Sequence, residues 1–279
     1  MANPIHERVV NVTNPQVKAK DIATQLREKI ERGELAPGKQ LATVRELAAQ
    51  YGVAYNTISR AIGQLKSEGL LKGVGGGPTR VRVRPTQVVR SNRTYDEEKR
   101  LVLAAREERE RQGVSERTLG IPVRNLDRDT YEYNVLPVAK CPAQVGEILE
   151  LSADEQVLRR RHTRRHVEHA GDSTSTSYLP HDVVRHNPRL LDPNEEPWPG
   201  GTLHQLWTAG REVGRIEDRI TARMPTKAEQ EALDIPPGIP LLDLTKITYD
   251  TLDRPVEVAF VPLPADRVEF RFSTDLERW

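Results

Sequence analysis

A single cysteine, Cys141, occurs in the 279 residues, so no disulfide can close within the chain and no Cys-x-x-Cys pair exists to hold zinc. That usage fits a reducing compartment. Aromatic residues make up only 5% of the chain. No apolar run approaches the ~18 residues that a membrane-spanning helix needs, which excludes an integral membrane protein of that kind. The start, Met1-Ala-Asn-Pro-Ile-His-Glu, has no basic stretch leading into an apolar one, so a secretory signal is not expected and a cytoplasmic location is. Catalytic signatures are scarce as well. Cys141 precedes Pro142 with no base nearby, and no Ser-His-Asp grouping has a supporting motif. The glycine tip at residues 75–77 lacks the following Gly-Lys-Ser/Thr of a phosphate loop. No catalytic residue and no cofactor is assigned.

What is present is enough to build cores: 37% apolar residues against 30% charged. The net charge of +1 hides an asymmetry. Residues 1–90 hold 15 Lys and Arg against 7 Asp and Glu, a net of +8, which leaves 27 basic and 34 acidic residues, a net of −7, for the remainder. A basic front and an acidic back predict two modules with different partners, the front one suited to a polyanion.

In the front module Ile22, Leu26 and Ile30 recur four apart, predicting a helix over Ala19–Arg32 that Gly33 stops. A second helix starts at Thr43, where Thr43-Val-Arg-Glu46 has the form of a capping box, and ends at Gly52. A third runs from Tyr55 to Glu68 with Ile58, Ala61, Ile62 and Leu65 inward. Two short strands then flank Gly75-Gly-Gly-Pro78. Two helices with a short joint, followed by a hairpin, read as a winged helix-turn-helix over residues 15–84. Residues 85–119 read as a charged linker, a solvated connecting helix or a partly disordered segment, with a segment ordered only against a partner subunit as the alternative.

The third region, 120–279, carries an internal echo. A proline-started helix at Cys141–Leu149 is matched by one at Met224–Leu233. Each leads into a long strand and a partner strand ending in Leu-Pro, at Pro180 and Pro264. The pattern predicts a duplicated helix–hairpin unit building one mainly antiparallel sheet, joined by strands at Gly214–Arg223 and Arg267–Phe272. The fold class is therefore α+β.

Several of these residues carry a resemblance. The run Leu26-Arg, Ile30, Gly33-Glu-Leu35-Ala-Pro37-Gly38, Leu41, Arg45-Glu-Leu47-Ala48, Gly52-Val53, Thr57 and Glu68-Gly69-Leu70 resembles the DNA-binding domain of GntR-type bacterial transcription regulators. Val157-Leu-Arg-Arg-Arg, Ser177-Tyr-Leu-Pro180, the helix after Pro225 and Asp253-Arg-Pro-Val-Glu257 resemble the UTRA effector-binding domain of the HutC branch, whose fold is similar to that of chorismate lyase. The resemblance implies a homodimeric, cytoplasmic and nucleoid-associated repressor that binds a pseudo-palindromic double-stranded operator and is released by a small-molecule effector. Two alternatives stay open: an effector-independent repressor of mobile-element or plasmid genes, and an enzyme using the chorismate-lyase-like cleft.

Burial of the third helix through 58, 61, 62 and 65 turns Tyr55, Asn56, Ser59 and Arg60 outward, where a recognition helix meets base edges. Asn56 suits adenine, and Arg60 suits guanine or a phosphate. Arg45 suits a phosphate or base, as the resemblance also implies, and Thr43 and Thr57 suit phosphates. The wing residues Gly76, Thr79 and Arg80 suit the minor groove. Many relatives carry arginine where Tyr55 and Ser59 stand, so their operator is not carried over.

In the third region Arg159 and Arg161 alternate on a strand and share a face, a pairing that suits an anionic ligand. Ser177, Arg223, Tyr249, Glu257 and Arg271 lie on strands that the resemblance brings around an effector cleft. His162 and His166 face one way on the strand and His169 the other, so no metal site is expected.

Overall fold

Three helices come first in the chain, each from a distinct local signal. Helix α1 (Ala19–Glu31) buries Ile22, Ala23 and Leu26 along one stripe. Helix α2 (Val44–Tyr51) begins with the reciprocal bonds of a capping box between Thr43 and Glu46. It ends at Gly52, whose φ of 64° is a conformation that costs glycine little. Helix α3 (Tyr55–Ser67) turns Ile58, Ala61, Ile62 and Leu65 inward. The buried side chains of the three helices, with Leu41, Leu71 and Val81, form one apolar cluster. Each fully buried Leu or Ile contributes about 1.5–3 kcal/mol to its stability. A bidentate pair between Arg27 of α1 and Glu68 at 2.8 Å ties α1 to the end of α3. Strands β1 (Leu71–Lys72) and β2 (Arg80–Val81) pair antiparallel as the wing, with Gln40 bridging to Arg80.

The computed structural model describes residues 18–73, 77–85, 87–112, 129–164 and 173–276. The chain divides into two compact units, with the main boundary between Arg84 and Pro85.

The second unit is organised by a six-stranded antiparallel sheet in the order β4-β5-β6-β9-β8-β7. Its strands are β4 (Thr130–Pro137), β5 (Gln156–Arg164), β6 (Ser173–Pro180), β7 (Val213–Arg223), β8 (Leu241–Asp250) and β9 (Pro255–Pro264). The internal echo in the sequence becomes two halves, β4-β5-β6 and β9-β8-β7, that meet where Ser177 of β6 pairs with Ala259 of β9. Helix α6 (Ala143–Leu149) precedes β5 in one half, as α9 (Lys227–Ala232) precedes β8 in the other. One face of the sheet packs Val157, Tyr178, Ile247 and Val258 with Val145 and Leu149 of α6. Elsewhere Leu158 and Leu179 are buried with Val183 and Val184 of α7 (His181–Val184), Trp198, and Leu203 and Leu206 of α8 (Gly201–Thr208).

Two expectations need correction. The terminal strand does not join the large sheet: β10 (Val268–Arg271) pairs parallel with β3 (Val88–Ser91) as a separate two-stranded ribbon. The supposed linker supplies that β3, and also α4 (Arg93–Leu101) and α5 (Arg106–Gln112). It is part of the second unit, because Tyr95, Glu98 and Val102, at i, i+3 and i+7, bring one helical stripe inward and Val102 enters an apolar cluster. Its last part, 113–119, lies outside the described residues.

Candidate functional site

In the first unit α3 presents a polar N-terminal surface. Tyr55, Asn56 and Arg60 are exposed, and Thr57 and Ser59 are half-buried. Arg45 stands exposed in the first turn of α2. Arg80 of the wing donates to the Gly38 carbonyl and the Gln40 side chain, both at 3.2 Å, and Thr79 is half-buried beside it. Gly76 lies outside the described residues. Thr43 has a structural duty that narrows its role. Its hydroxyl donates to Glu46 at 2.9 Å and accepts the Glu46 amide at 3.3 Å. Thr43→Ala should therefore lower the melting free energy by about 1 kcal/mol in a thermal or urea unfolding series, the cost of a lost N-cap.

In the second unit one cross-strand row passes through all six strands of the large sheet: Tyr133, Arg160, Ser177, Ala259, Lys246 and Asp218. Ala259 is the small member, and a cavity of about 120 Å³ opens over this part of the row. Arg160 is its buried anchor. The guanidinium pairs with Glu257 at 2.6 Å, with both side chains only 2% exposed. It also donates to Ser177 at 3.2 Å and to Gln205 of α8. Glu257 is further held by Thr248 at 3.3 Å and by Lys246 at 3.7 Å. Burial works to raise the Glu257 carboxyl, yet Lys246 and Arg160 hold it below the usual carboxylate range.

Glu196 forms a second node. It accepts from the Tyr133 hydroxyl at 2.6 Å, from Gln205 at 2.9 Å and from the Trp198 amide at 2.8 Å. Burial raises this carboxyl too, and His162, the Tyr133 hydroxyl and Arg160 outweigh it. Glu98, brought in by α4, behaves the other way. Its burial pushes the carboxyl up to about 7 against the pull of Lys246 and Arg90. Arg90, Ser175 and Thr202 complete much of the lining, with Val261 and Leu263 as the apolar part.

Of the residues singled out from the sequence, Ser177 lines this cavity, and Glu257 reaches it through Arg160 and Lys246. Arg159 and Arg161 do not line it. The pleat turns Arg160 and His162 to the cavity, and Arg159 and Arg161, which do share a face, away from it. Arg223 is engaged elsewhere, by Glu229 at 2.6 Å and Asp243, and its bonds pull the Glu229 carboxyl down to about 2. Tyr249 packs on the opposite face of the sheet, with the Arg215 guanidinium 3.6 Å over its ring. Arg271 sits on β10 and pairs with Glu269 at 2.7 Å.

Sequence reasoning missed Arg160, Gln205, Glu196, Lys246, Arg90 and Glu98. For Glu98 a signal existed in the Tyr95, Glu98, Val102 spacing. Arg160 sits in a run of arginine and histidine without apolar alternation, so nothing local marks its face. Among the described residues no group of three or more His, Cys, Asp or Glu side chains is arranged to hold a metal ion. His166 and His169 lie outside them. No described helix is long and apolar enough to cross a membrane.

Comparison with known proteins adds an independent line. Residues 18–81 match the gntR family of bacterial regulatory proteins, and residues 128–269 match the UTRA domain. The HTH-type transcriptional regulator SCO4628 of Streptomyces coelicolor is 27% identical over 243 residues, 87% of each chain. The HTH-type transcriptional regulator GgaR of Escherichia coli is 24% identical over 267 residues, 95% of this chain and 94% of GgaR. A crystal structure described as a GntR-family transcriptional regulator shares the fold, with a TM-score of 0.58 and 23% identity over 94% of this chain and 99% of that one. A basic winged helix with an exposed polar start to α3, a cavity walled by charged strand residues and these matches have one reading: the chain belongs to the GntR family of transcriptional regulators, and couples a DNA-binding helix-turn-helix domain to a UTRA effector-binding domain.

Proposed function

We propose that this regulator is a HutC-type, cytoplasmic repressor that binds a pseudo-palindromic operator as a homodimer and leaves it when a small molecule fills the cavity of the second unit. The observation that carries the reading is the cavity over Arg160 and Ser177, with its buried charged floor, in the same chain as an exposed recognition helix. Two-fold symmetry in the protein matches two-fold symmetry in an operator, because each half-site receives one α3. Repression needs occupancy of the promoter alone, and no element beyond these two domains is required for it. The effector acts through its different affinity for the two domain arrangements, one of which matches the half-site spacing.

In this reading Arg45, Asn56 and Arg60 contact bases or phosphates, with Tyr55, Thr57 and Ser59 at their margins and Thr79 and Arg80 at the minor groove. Thr43 contributes mainly by setting the start of α2. The test is a DNase footprint across the region upstream of the gene and its neighbours. Protection of two symmetric half-sites is expected. Sequence-blind, salt-sensitive binding would overturn the specific-repressor reading. Arg45→Ala should cost about 1–3 kcal/mol of operator affinity, roughly tenfold to a hundredfold. The sedimentation profile should be unchanged. A loss of the dimer instead would show that Arg45 serves assembly.

A further inference from the structure

Among the described residues, Glu98 is the cavity carboxylate whose bonding the fold leaves open. It is 7% exposed, and its Oε1 has no hydrogen-bond partner among the described residues. A buried acceptor left in that condition costs stability, and such atoms ordinarily have a reason. Glu196 differs, because Tyr133, Gln205 and the Trp198 amide already occupy it. Arg160 is matched by Glu257 at 2.6 Å. Lys246 is not matched in the same way. Its ammonium stands 3.7 Å from Glu257, longer than a good hydrogen bond, and lines the cavity, so its donors are available to a further acceptor there.

We propose that Glu98 accepts a hydrogen bond from the effector and Lys246 receives the effector's acidic group, so that the ligand is a small anion that also carries a hydroxyl or ammonium donor. The inference rests on the reading of this cavity as the effector site. It also gives α4 a task. Residues 85–92 alone separate the end of the first unit from this helix in the chain. A ligand bound to Glu98 therefore holds a helix that stands close in sequence to the DNA-binding domain.

Phosphate and carboxylate offer Lys246 the same chemistry, and paired probes separate them. Full-length protein is titrated calorimetrically with glycerol 3-phosphate, phosphoethanolamine and methyl phosphate, and with the carboxylates glycerate, 3-aminopropanoate and propanoate. In one of the two series the donor-bearing probes should bind about tenfold or more tightly than the donor-free one, the worth of a hydrogen bond to a charged acceptor. Glu98→Met should abolish that advantage, so that the donor-bearing and donor-free probes of the series bind the variant with equal affinity. Lys246→Met should weaken all members of the series. Glu98→Gln keeps an acceptor oxygen and loses the charge, so it should retain the hydroxyl preference and lose the ammonium preference. A merely structural Glu98 would not produce that split.

An advantage that survives Glu98→Met would overturn the proposal, as would failure of all six probes to bind at millimolar concentration. Either failure with the operator footprint intact strikes this inference alone. Loss of the symmetric footprint strikes the repressor reading on which it stands.

Discussion

Glu257→Leu should destabilise the second unit by about 3–5 kcal/mol, because it strands the Arg160 guanidinium in the interior without its counter-charge. The pair is 2.6 Å apart and both side chains are 2% exposed, so solvent cannot take over the role of the lost partner. Lys246 would lose the same carboxylate. The double variant Arg160→Met with Glu257→Leu should recover most of the loss, since an apolar pair of similar size avoids the desolvation of two ions. Urea unfolding of the wild type, the two single variants and the double variant measures the coupling directly. Additive losses would mean that the ion pair is not the unit that matters. On the proposed reading of the cavity, effector binding should weaken in the double variant even where stability is recovered, because Arg160 lines that cavity.

Glu98 should make the protein less stable as pH rises. The folded carboxyl is pushed up to about 7 from an ordinary value of 4.5, mainly by burial, with Glu257 and Glu97 adding to the effect and Lys246 and Arg90 opposing it. Below the unfolded pKa both states hold the proton, and the group's relative contribution is fully present. Between that value and the folded one the unfolded chain releases its proton first, so stability is lost as pH climbs, and the loss levels off above pH 7. Replacing Glu98 by Gln should remove a fall of about 2–3 kcal/mol in unfolding free energy between pH 5 and pH 8. Parallel pH profiles of wild type and variant would refute this. The same would follow from a ligand-free wild type that becomes more stable over that interval relative to Glu98→Gln. If the effector binds Glu98 as proposed, proton uptake and ligand binding act on one carboxylate, and the affinity of a donor-bearing effector should itself depend on pH.

The two units differ in how legible they were. The helix-turn-helix follows from short-range rules: i, i+4 stripes at Ile22 and Leu26, the capping box at Thr43 and Glu46, and the stop at Gly52. These signals lie within one or two turns of the residues they govern, so sequence spacing and spatial spacing coincide. The exposed set at the start of α3 follows in turn, because burying Ile58, Ala61, Ile62 and Leu65 leaves Asn56 and Arg60 nowhere else to face. The duplication in the second unit was also legible, since each copy repeats a helix start and a Leu-Pro strand ending at Pro180 and Pro264.

The cavity was not legible in the same way. Its residues come from β3, α4, β5, β6, the Glu196 loop, α8, β8 and β9, spread from Arg90 to Leu263. Three of the residues chosen for it from the sequence, Arg223, Tyr249 and Arg271, are held by other partners outside it. Arg160 was passed over in favour of its two neighbours because a polar strand has no apolar alternation to announce its pleat. Only the pairing of Arg160 with Ser177, and of Ser177 with Ala259, settled which side of β5 the cavity occupies.

By itself, then, the amino-acid sequence determined the helical DNA-binding unit, its basic charge, the repeated sheet-forming halves and the absence of a disulfide framework. Each of these rests on local periodicity, on a repeated pattern or on composition. Tertiary structure alone decided which arginine is buried, that Glu98 leaves a charged segment to enter a cavity, and that the final strand pairs with β3. The physical reason is common to all three. Strand register and long-range burial are set by contacts between residues far apart in the chain, and a one-residue shift in register exchanges the buried and exposed faces completely.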